Sequence, residues 1–322
     1  MKRRVVITGM GVVSALGTGV AANLGALRAG RSGIARSERI AALGLRVAVA
    51  GEASGFIAAD HFTEKRLALL DRTSQLALVA AREAIAASGI DFKASGIGER
   101  SAVIVGTGAG GESTHDEANR ILYASGSPRL HPFTIVRQMF SAPVSQIGIE
   151  HGITGPGFAV SSACASANHA ILQAAAMVRH GTTEVAVTGG TEACLTLGVL
   201  RAWEAMRVLA DDTCRPFCKE RRGLVLGEGA AIFVLEELEH ARRRSAPILA
   251  EFAGGGMSAD AHDIVLPSAE GAARAMRAAL ADGGLATDDI DYINAHGTGT
   301  PANDPTETAA IRSVFGAHAD RL

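Results

Sequence analysis

Short β-branched runs alternate with longer runs rich in alanine and leucine along most of this chain. The short runs have the length of buried strands, and the longer runs repeat apolar residues at helical spacing. The predicted strands cover residues 4–8, 101–105, 157–160, 184–188, 230–235, 248–254 and 290–295. The predicted helices cover residues 65–88, 166–180, 237–244, 271–282 and 306–315. This alternation is typical of an α/β fold with buried, mostly parallel strands.

The chain of 322 residues has no linker-like tract rich in proline, serine or one sign of charge. A charged run near residues 242–246 closes one strand–helix unit, so we predict two domains, 1–245 and 246–322. After the last predicted helix no strand completes the repeat. Because a buried sheet would continue there, we expect the second domain to be truncated at Leu322.

Charge and composition exclude several classes of protein. The 31 lysines and arginines are balanced by 33 acidic residues, so no basic field favours nucleic acid. No apolar stretch is long enough to span a membrane, and the N-terminus lacks the features of a signal peptide. Four cysteines are too few for a disulfide framework, and Cys214 and Cys218 lack further residues with zinc-ligand spacing. We therefore expect a soluble, cytoplasmic protein without a membrane span, a nucleic-acid partner or a metal.

Two glycine-rich stretches invite comparison with dinucleotide-binding loops. Residues 9–14 have Ser14 where the third glycine belongs. Residues 106–111 match G-x-G-x-x-G, but no acidic residue follows about 20 positions later at the end of a second strand. We predict that both stretches are tight turns at strand ends and that the protein uses no nicotinamide, flavin or other cofactor.

Cys164 has the most distinctive setting of the four cysteines. A short strand leads through Ser161, Ser162 and Ala163 to this residue, and a helix with an apolar face follows. A thiol near a helix N-terminus is stabilised as the thiolate, and small neighbours let a substrate carbonyl approach the backbone. We therefore favour a nucleophile over a buried structural cysteine at Cys164. His169, within the following helix, is expected to be a packed helix residue.

His296 is the histidine placed best for chemistry. It follows a predicted strand and opens a loop that contains two glycines and two threonines, so its imidazole can face a cleft. A thiolate together with a loop histidine favours acyl transfer through a covalent thioester. These residues alone leave hydrolysis, condensation and transfer open.

Five motifs together resemble the β-ketoacyl-acyl-carrier-protein synthases, especially their elongating, type II branch. They are VVITGMGVVSALG at 5–17, SSACASANHAI at 161–171, VTGGTEA at 187–193, CRPFCKERRGLVLGEGAA at 214–231 and NAHGTGTPANDPTE at 294–307. The stretch at 195–217, LTLGVLRAWEAMRVLADDTCRPF, further resembles the nodulation-type members. The motifs occur in the family's order and cover nearly the whole chain.

The resemblance implies a thiolase-like fold, an αβαβα five-layer sandwich of two related halves whose second half is incomplete here. It implies condensation of malonyl-acyl-carrier protein, with loss of carbon dioxide, onto an acyl chain bound to Cys164. The implied partners are acyl-carrier protein, with acyl and malonyl groups on phosphopantetheine, and a second copy in a homodimer.

The resemblance also assigns roles to residues of this sequence. Besides the acyl-accepting Cys164, His296 corresponds to one of two histidines that stabilise the enolate. The other implied residues are Thr298 and Thr300 against the pantetheine arm, Trp203 beside the acyl channel, and Asp304 and Glu307 as supports of the site. Carrier docking is expected at Lys65, Arg66, Arg129 and Arg207, since acyl-carrier proteins are acidic.

Three alternatives follow from the same residues. The family's lysine, second catalytic histidine and Gly-Phe-Gly-Gly loop would lie beyond Leu322, so an inactive fragment of such an enzyme is one alternative. A catalytically inactive partner like the chain-length factors is another, although Cys164 argues against it. An NAD-binding oxidoreductase is the third, and the missing ribose-binding acid disfavours it.

Overall fold

The computed structural model describes residues 3–127 and 129–322, which form two compact units. The first unit runs to Ala202 and resumes over Leu226–Phe252, and the second comprises Trp203–Val225 and Ala253–Leu322. The strands are β1 Val5–Ser14, β2 Gly17–Thr18, β3 Ala35–Arg36, β4 Val49–Ala50, β5 Ser101–Gly106, β6 Gly157–Val160, β7 Val185–Ala193, β8 Glu228–Glu237 and β9 Ala250–Phe252.

The helices vary in length from one turn to more than four. They are α1 Val20–Arg28, α2 Glu38–Ala41, α3 Glu64–Leu67, α4 Arg72–Ser88, α5 Glu112–Asn119, α6 Thr134–Gln138, α7 Ala142–His151, α8 Ser166–His180, α9 Leu197–Ala205, α10 Leu238–Arg243, α11 Ala269–Gly283 and α12 Asn303–Phe315. Short 3-10 helices cover Ala58–Asp60, Ile97–Arg100, Thr287–Asp289 and Gly316–Arg321, and a π-helical turn covers Arg120–Ala124.

The main sheet of the first unit has the strand order β2-β1-β8-β7-β5-β6, and β9 pairs with β1. Strand β5 runs parallel to both β6 and β7, whereas β8 is antiparallel to β1 and β7. The prediction of mostly parallel strands is therefore wrong for the β1 side of the sheet. Only the part that carries β5, β6 and β7 is parallel, and the C-terminal ends of these three strands lie at one edge.

Both faces of this sheet are covered by helices, because neighbouring residues of a strand point to opposite sides. Val103 and Val105 of β5 pack in one apolar cluster with buried residues of α4. Ala102 and Ile104 pack in another with Ala170, Ala174 and Val178 of α8. The first unit thus has helix, sheet and helix layers, with α8 directly behind the parallel strands.

Residues 9–14 are not a turn, contrary to the prediction for this glycine-rich stretch. They lie inside strand β1, whose glycines face the backbone of α4. A Cβ atom on Gly9 would lie 2.0 Å from the carbonyl oxygen of Ala84, and one on Gly11 would lie 2.1 Å from that of Ala80. These glycines therefore allow a helix to pack closely against a strand. The stretch 106–111 does lie at a strand end, as predicted: Gly106 ends β5, and residues 107–111 form the loop that follows it.

The predicted helix at 65–88 is divided into α3 and α4. Asp71 causes the division, because its side chain accepts a hydrogen bond from Thr73 N and caps α4. The other predicted helices are present within a few residues of their expected bounds. Helices α1, α2, α5, α6, α7 and α9 were not predicted from the sequence.

In the second unit, α11 and α12 pack together. The strand predicted at 290–295 does not form among the residues that the structure describes. Its backbone is extended at Ile290, but no neighbouring strand pairs with it. The N–H groups that follow it, at His296 and Gly297, are bonded to the Glu307 side chain instead.

Across the described ranges 3–127 and 129–322, we find no helix with the length and apolar character needed to cross a bilayer. The same ranges contain all four cysteines, and none of these forms a disulfide.

Candidate active site

Cys164 lies between β6 and α8, as predicted, in a tight turn of residues 161–165 that we call the elbow. The side chain of Cys164 is exposed, and Ala165 is the N-cap of the helix. Ala163, which precedes the cysteine, has a positive φ of 52°, a conformation that costs energy for a residue with a Cβ atom. The Ser166 hydroxyl accepts from Ser162 N at 2.8 Å and donates to the Ala163 carbonyl at 2.6 Å. One buried hydroxyl at the start of α8 thus holds the two residues that precede Cys164.

The start of α8 rests directly on glycines of the sheet. A Cβ atom on Gly106 would lie 2.3 Å from the carbonyl carbon and oxygen of Ser166, and one on Gly190 would lie 2.5 Å from Ala167 Cβ. Such distances are far below normal contact, so both positions require glycine. The first turn of α8, and with it Cys164, is therefore placed by the ends of β5 and β7.

His169 is half-buried in α8, and the prediction of a packed helix residue omits one contact. Its Nδ1 atom lies 2.7 Å from the Ser162 hydroxyl, on the chain segment that leads to Cys164. The sequence spacing from 162 to 169 gives no signal for this pair, because the elbow has to form before they meet.

The other thiols have settings unlike that of Cys164. Burial, together with the nearby Glu192 carboxylate, raises the pKa of Cys194 to about 12, so it is a neutral thiol at physiological pH. Burial also raises the pKa of Cys214, whose Sγ atom lies 3.3 Å from the Thr298 carbonyl oxygen. Cys194 and Cys214 are therefore poor nucleophiles.

His296 is exposed on a loop of the second unit that α12 holds by its carboxylates. Glu307 accepts hydrogen bonds from His296 N at 2.7 Å and from Gly297 N at 2.9 Å. The hydroxyls of Thr298 and Thr300 are 2.8 Å apart and bond to each other. The loop backbone is thus fixed around residues 296–300.

Asp304 is the buried support of the same loop. Its carboxylate accepts from Gly299 N at 3.1 Å and from Phe217 N at 2.6 Å, so it joins the loop to the segment after Cys214. Removal of a buried carboxylate that accepts from two backbone donors lowers the free energy of unfolding, because both N–H groups are left unpaired.

The remaining predicted site residues differ in how exposed they are. Trp203 is half-buried near the end of α9, and Arg207 follows it on an exposed turn with a φ of 58°. Lys65 and Arg129 are exposed, whereas Arg66 is half-buried and lies 3.9 Å from Glu150. The structure thus brings His296, Thr298, Thr300, Asp304 and Glu307 together in the second unit, and places Cys164, Lys65, Arg66 and Arg129 in the first.

Among the residues that the structure describes, no group of three or more histidine, cysteine or acidic side chains is placed to hold a metal ion.

Comparison with known proteins places this geometry in a family. The model of the β-ketoacyl synthase N-terminal domain matches residues 2–241, and that of the C-terminal domain matches residues 249–322. Nodulation protein E of Rhizobium meliloti (strain 1021) is 48% identical over 320 residues, which cover 99% of this chain and 79% of that protein. The 3-oxoacyl-(acyl-carrier-protein) synthase 2 of Staphylococcus aureus (strain COL) is 39% identical over 327 residues, covering 99% of this chain and 79% of that protein.

A solved structure agrees with these sequence matches. The ishigamide ketosynthase/chain length factor superposes with a TM-score of 0.90 at 37% identity, covering 98% of this chain and 78% of that one. These matches place the chain in an acyltransferase class with the thiolase-like fold. The chain belongs to the β-ketoacyl synthase family, and its relatives lie in the type II branch. The resemblance carried by the five sequence motifs is confirmed.

Proposed function

We propose that this chain performs decarboxylative Claisen condensation with Cys164 as the residue that carries the acyl group. The observation that carries the proposal is an exposed thiol on a rigid elbow at the start of α8. The Cys164 thiolate attacks the thioester carbonyl of an acyl-carrier protein, and the carrier leaves as its thiolate. Malonyl-carrier protein then loses carbon dioxide, and the resulting enolate carbon attacks the Cys164 thioester. The Cys164 thiolate leaves, which gives β-ketoacyl-carrier protein and regenerates the nucleophile.

The elbow supports the first step through its backbone. Cys164 lies directly before Ala165, the N-cap of α8, and the positive end of the helix dipole stabilises negative charge there. We propose that Cys164 N donates to the oxyanion that forms during attack, as such donors do in acyl transfer. The fixed Ser162–Ser166 hydrogen bonds support this role, since a donor held in advance needs no rearrangement during the reaction.

We propose that His296 donates from its imidazole to the enolate oxygen as carbon dioxide leaves. The Glu307 hydrogen bonds to His296 N and Gly297 N support this role, because they hold the backbone that carries the imidazole. Asp304 supports the loop at Gly299. Thr298 and Thr300 are proposed to hydrogen-bond the pantetheine arm, and Trp203 is proposed to line the acyl channel and limit chain length.

We further propose that an acidic carrier docks near Lys65, Arg66, Arg129 and Arg207. Three of these cations, Lys65, Arg129 and Arg207, are exposed, and a cationic surface attracts an acidic partner before contact. The division into domains 1–245 and 246–322 also stays a proposal.

A homodimer is proposed from an unpaired edge and an apolar surface of the first unit. Strand β6 ends the sheet, and its Phe158 is 39% exposed. Exposed apolar side chains lie nearby in sequence at Phe133, Ile135, Val136, Met139 and Phe140. A second copy would cover both features by the same surface on each subunit. Analytical ultracentrifugation tests this, and a monomer at micromolar concentration would contradict it.

A non-catalytic role is the second candidate function, because a similar solved structure is a ketosynthase/chain length factor. An exposed Cys164 favours the enzyme, because a partner that only shapes a pocket needs no nucleophile. Acylation of Cys164 separates the two candidates.

The test of the proposed function is acyl transfer to this thiol. The purified protein is incubated with acyl-carrier protein, and the modified peptide is mapped by mass spectrometry. We expect the acyl group on Cys164, loss of labelling in Cys164→Ala, and unchanged labelling in Cys214→Ala. An acyl group on Cys194, Cys214 or Cys218, or no acyl group at all, would contradict the assignment.

A further inference from the structure

Glu192, at the end of β7, binds the loop after β5 with both oxygens of its carboxylate. Its Oε2 atom accepts from Gly108 N at 2.6 Å, and its Oε1 atom accepts from Ala109 N at 3.2 Å and from the Thr107 hydroxyl at 3.2 Å. Three donors of one short loop therefore converge on a single side chain.

The same loop lies against the elbow that carries Cys164. A Cβ atom on Gly108 would be 2.9 Å from Glu192 Oε2 and 3.6 Å from the carbonyl oxygen of Ala163. Gly108 is thus in close contact with the carboxylate and near the backbone of Ala163. Ala163 has a strained φ of 52°, so its conformation depends on what surrounds it.

The far end of the loop is held separately by the start of α4. The Thr73 hydroxyl donates to the Gly110 carbonyl at 2.8 Å, and Asp71 accepts from Thr114 N and from the Thr114 hydroxyl, each at 2.7 Å. Asp71 and Thr73 are both fully buried. Removal of the Glu192 carboxylate would therefore free only the end of the loop that meets Ala163.

Placing a carboxylate here costs free energy. Burial raises the pKa of Glu192, and the hydrogen bonds from Gly108, Ala109 and Thr107 only partly offset this effect. An amide or a hydroxyl would avoid the cost but would not offer two acceptor oxygens to three donors.

We propose that Glu192 is a positioning residue for acyl transfer at Cys164, acting through the loop 107–109 and the backbone of Ala163. The proposal rests on the proposed function of Cys164. Glu192 does not touch the reacting atoms. Its carboxylate keeps the loop against the elbow, so the thiol and the Cys164 N–H group stay in one geometry while the acyl group is transferred.

Glu192→Gln is the variant that tests this role, and Glu83→Gln is its matched control. Glutamine keeps the size of the side chain but has one acceptor oxygen, and its amide N–H₂ group would face a backbone donor. Glu83 is also a half-buried carboxylate of the first unit, and it accepts from Val12 N at 3.0 Å and Val20 N at 2.7 Å. Each variant thus replaces a carboxylate that accepts from two backbone N–H groups. Only the loop bound by Glu192 lies near Ala163.

The readouts are the kcat and KM of acyl transfer from acyl-carrier protein to Cys164, and the midpoint of thermal unfolding. A misplacement of about 1 Å near a reacting group costs up to about 100-fold in rate, so we expect kcat to fall about 10- to 100-fold in Glu192→Gln. KM for the carrier should stay near the wild-type value. Glu83→Gln should lower the unfolding midpoint and leave kcat within about twofold of wild type, a ratio that corresponds to roughly 0.4 kcal/mol.

Peptide mapping is part of the assay, so that an acyl group on Cys194, which lies near Glu192, is distinguished from one on Cys164. Glu192→Asp is the second variant. It keeps two acceptor oxygens on a shorter side chain, so its kcat should lie between those of Glu192→Gln and wild type. If the glutamine variant fails to fold, the kcat of Glu192→Asp tests the positioning role. Equal kcat values in wild type and in the Glu192 variants would overturn the positioning role alone. Absence of acylation on wild-type Cys164 would overturn the proposed function and the positioning role with it.

Discussion

Replacement of Gly106 by alanine tests how the sheet places Cys164. A Cβ atom at this position would lie 2.3 Å from the Ser166 carbonyl carbon and oxygen and 2.4 Å from Ala167 N. All three are backbone atoms of the first turn of α8, so no side-chain rotation relieves the clash. The turn or the strand has to move, and Cys164 lies two residues before Ser166.

The size of the effect follows from these distances. An ordinary contact of a Cβ atom begins near 3.4 Å, so the start of α8 has to shift by about 1 Å. Overpacking of this kind costs about 1–3 kcal/mol of folding free energy, and more where backbone is involved. A shift of about 1 Å at a reacting group also costs up to about 100-fold in rate. We therefore expect Gly106→Ala to lower both stability and the reactivity of Cys164.

The assay combines chemical unfolding with the rate of Cys164 alkylation by iodoacetamide, followed by peptide mapping. Gly25→Ala is the control, because Gly25 lies in α1 with no atom within 4 Å of the added methyl group. That variant should be neutral or up to about 1 kcal/mol more stable, since alanine favours a helix. Wild-type stability and a wild-type alkylation rate in Gly106→Ala would refute the close packing of α8 on β5.

Three further predictions concern charge. His296→Ala should slow malonyl decarboxylation about 10²–10³-fold and leave acylation of Cys164 measurable, because its donor acts only on the enolate; equal loss of both steps would contradict this. Arg207→Glu should slow association with the carrier at low salt and matter little at 1 M salt, where screening acts within about 3 Å; a rate unaffected by either change would dismiss the docking residue. Burial opposes ionisation of Glu236, but hydrogen bonds from Arg244 and His240 outweigh this effect and lower the pKa of Glu236. The ionised Glu236 therefore stabilises the folded protein above the ordinary glutamate pKa, and this contribution is lost on acidification. The unfolding free energy of Glu236→Gln should therefore fall less steeply than that of wild type between about pH 5 and pH 3.

The sequence predicts the elements that bury long apolar faces and the residues that stand in distinctive loops. The elbow at Cys164 is predictable because a short strand, four small residues and an amphipathic helix follow one another directly. Helix α8 has its predicted bounds, since its apolar positions recur at helical spacing over 15 residues and Gly181 ends it. The family was equally accessible, because the motifs keep their order over nearly the whole chain.

Other features depend on contacts that no local pattern encodes. The helix predicted at 65–88 is divided because Asp71 prefers to cap α4 and to accept from Thr114, which is 43 positions away. Gly9 and Gly11 resemble a loop in sequence, and only the closeness of α4 explains them as strand residues. Glu192 appeared as one letter of a motif, and its partners at 107–109 become visible only when β5 and β7 lie side by side.

The groups around Cys164 combine an exposed thiol with a rigid backbone. The Cys164 side chain is exposed, so packing around it cannot fix its position. The structure fixes the backbone instead: Ser166 bonds Ser162 and Ala163, Gly106 and Gly190 bring the sheet against α8, and Glu192 holds the loop beside Ala163. A donor is worth most when its backbone does not have to reorganise, so this fixed backbone supports the oxyanion role proposed for Cys164 N.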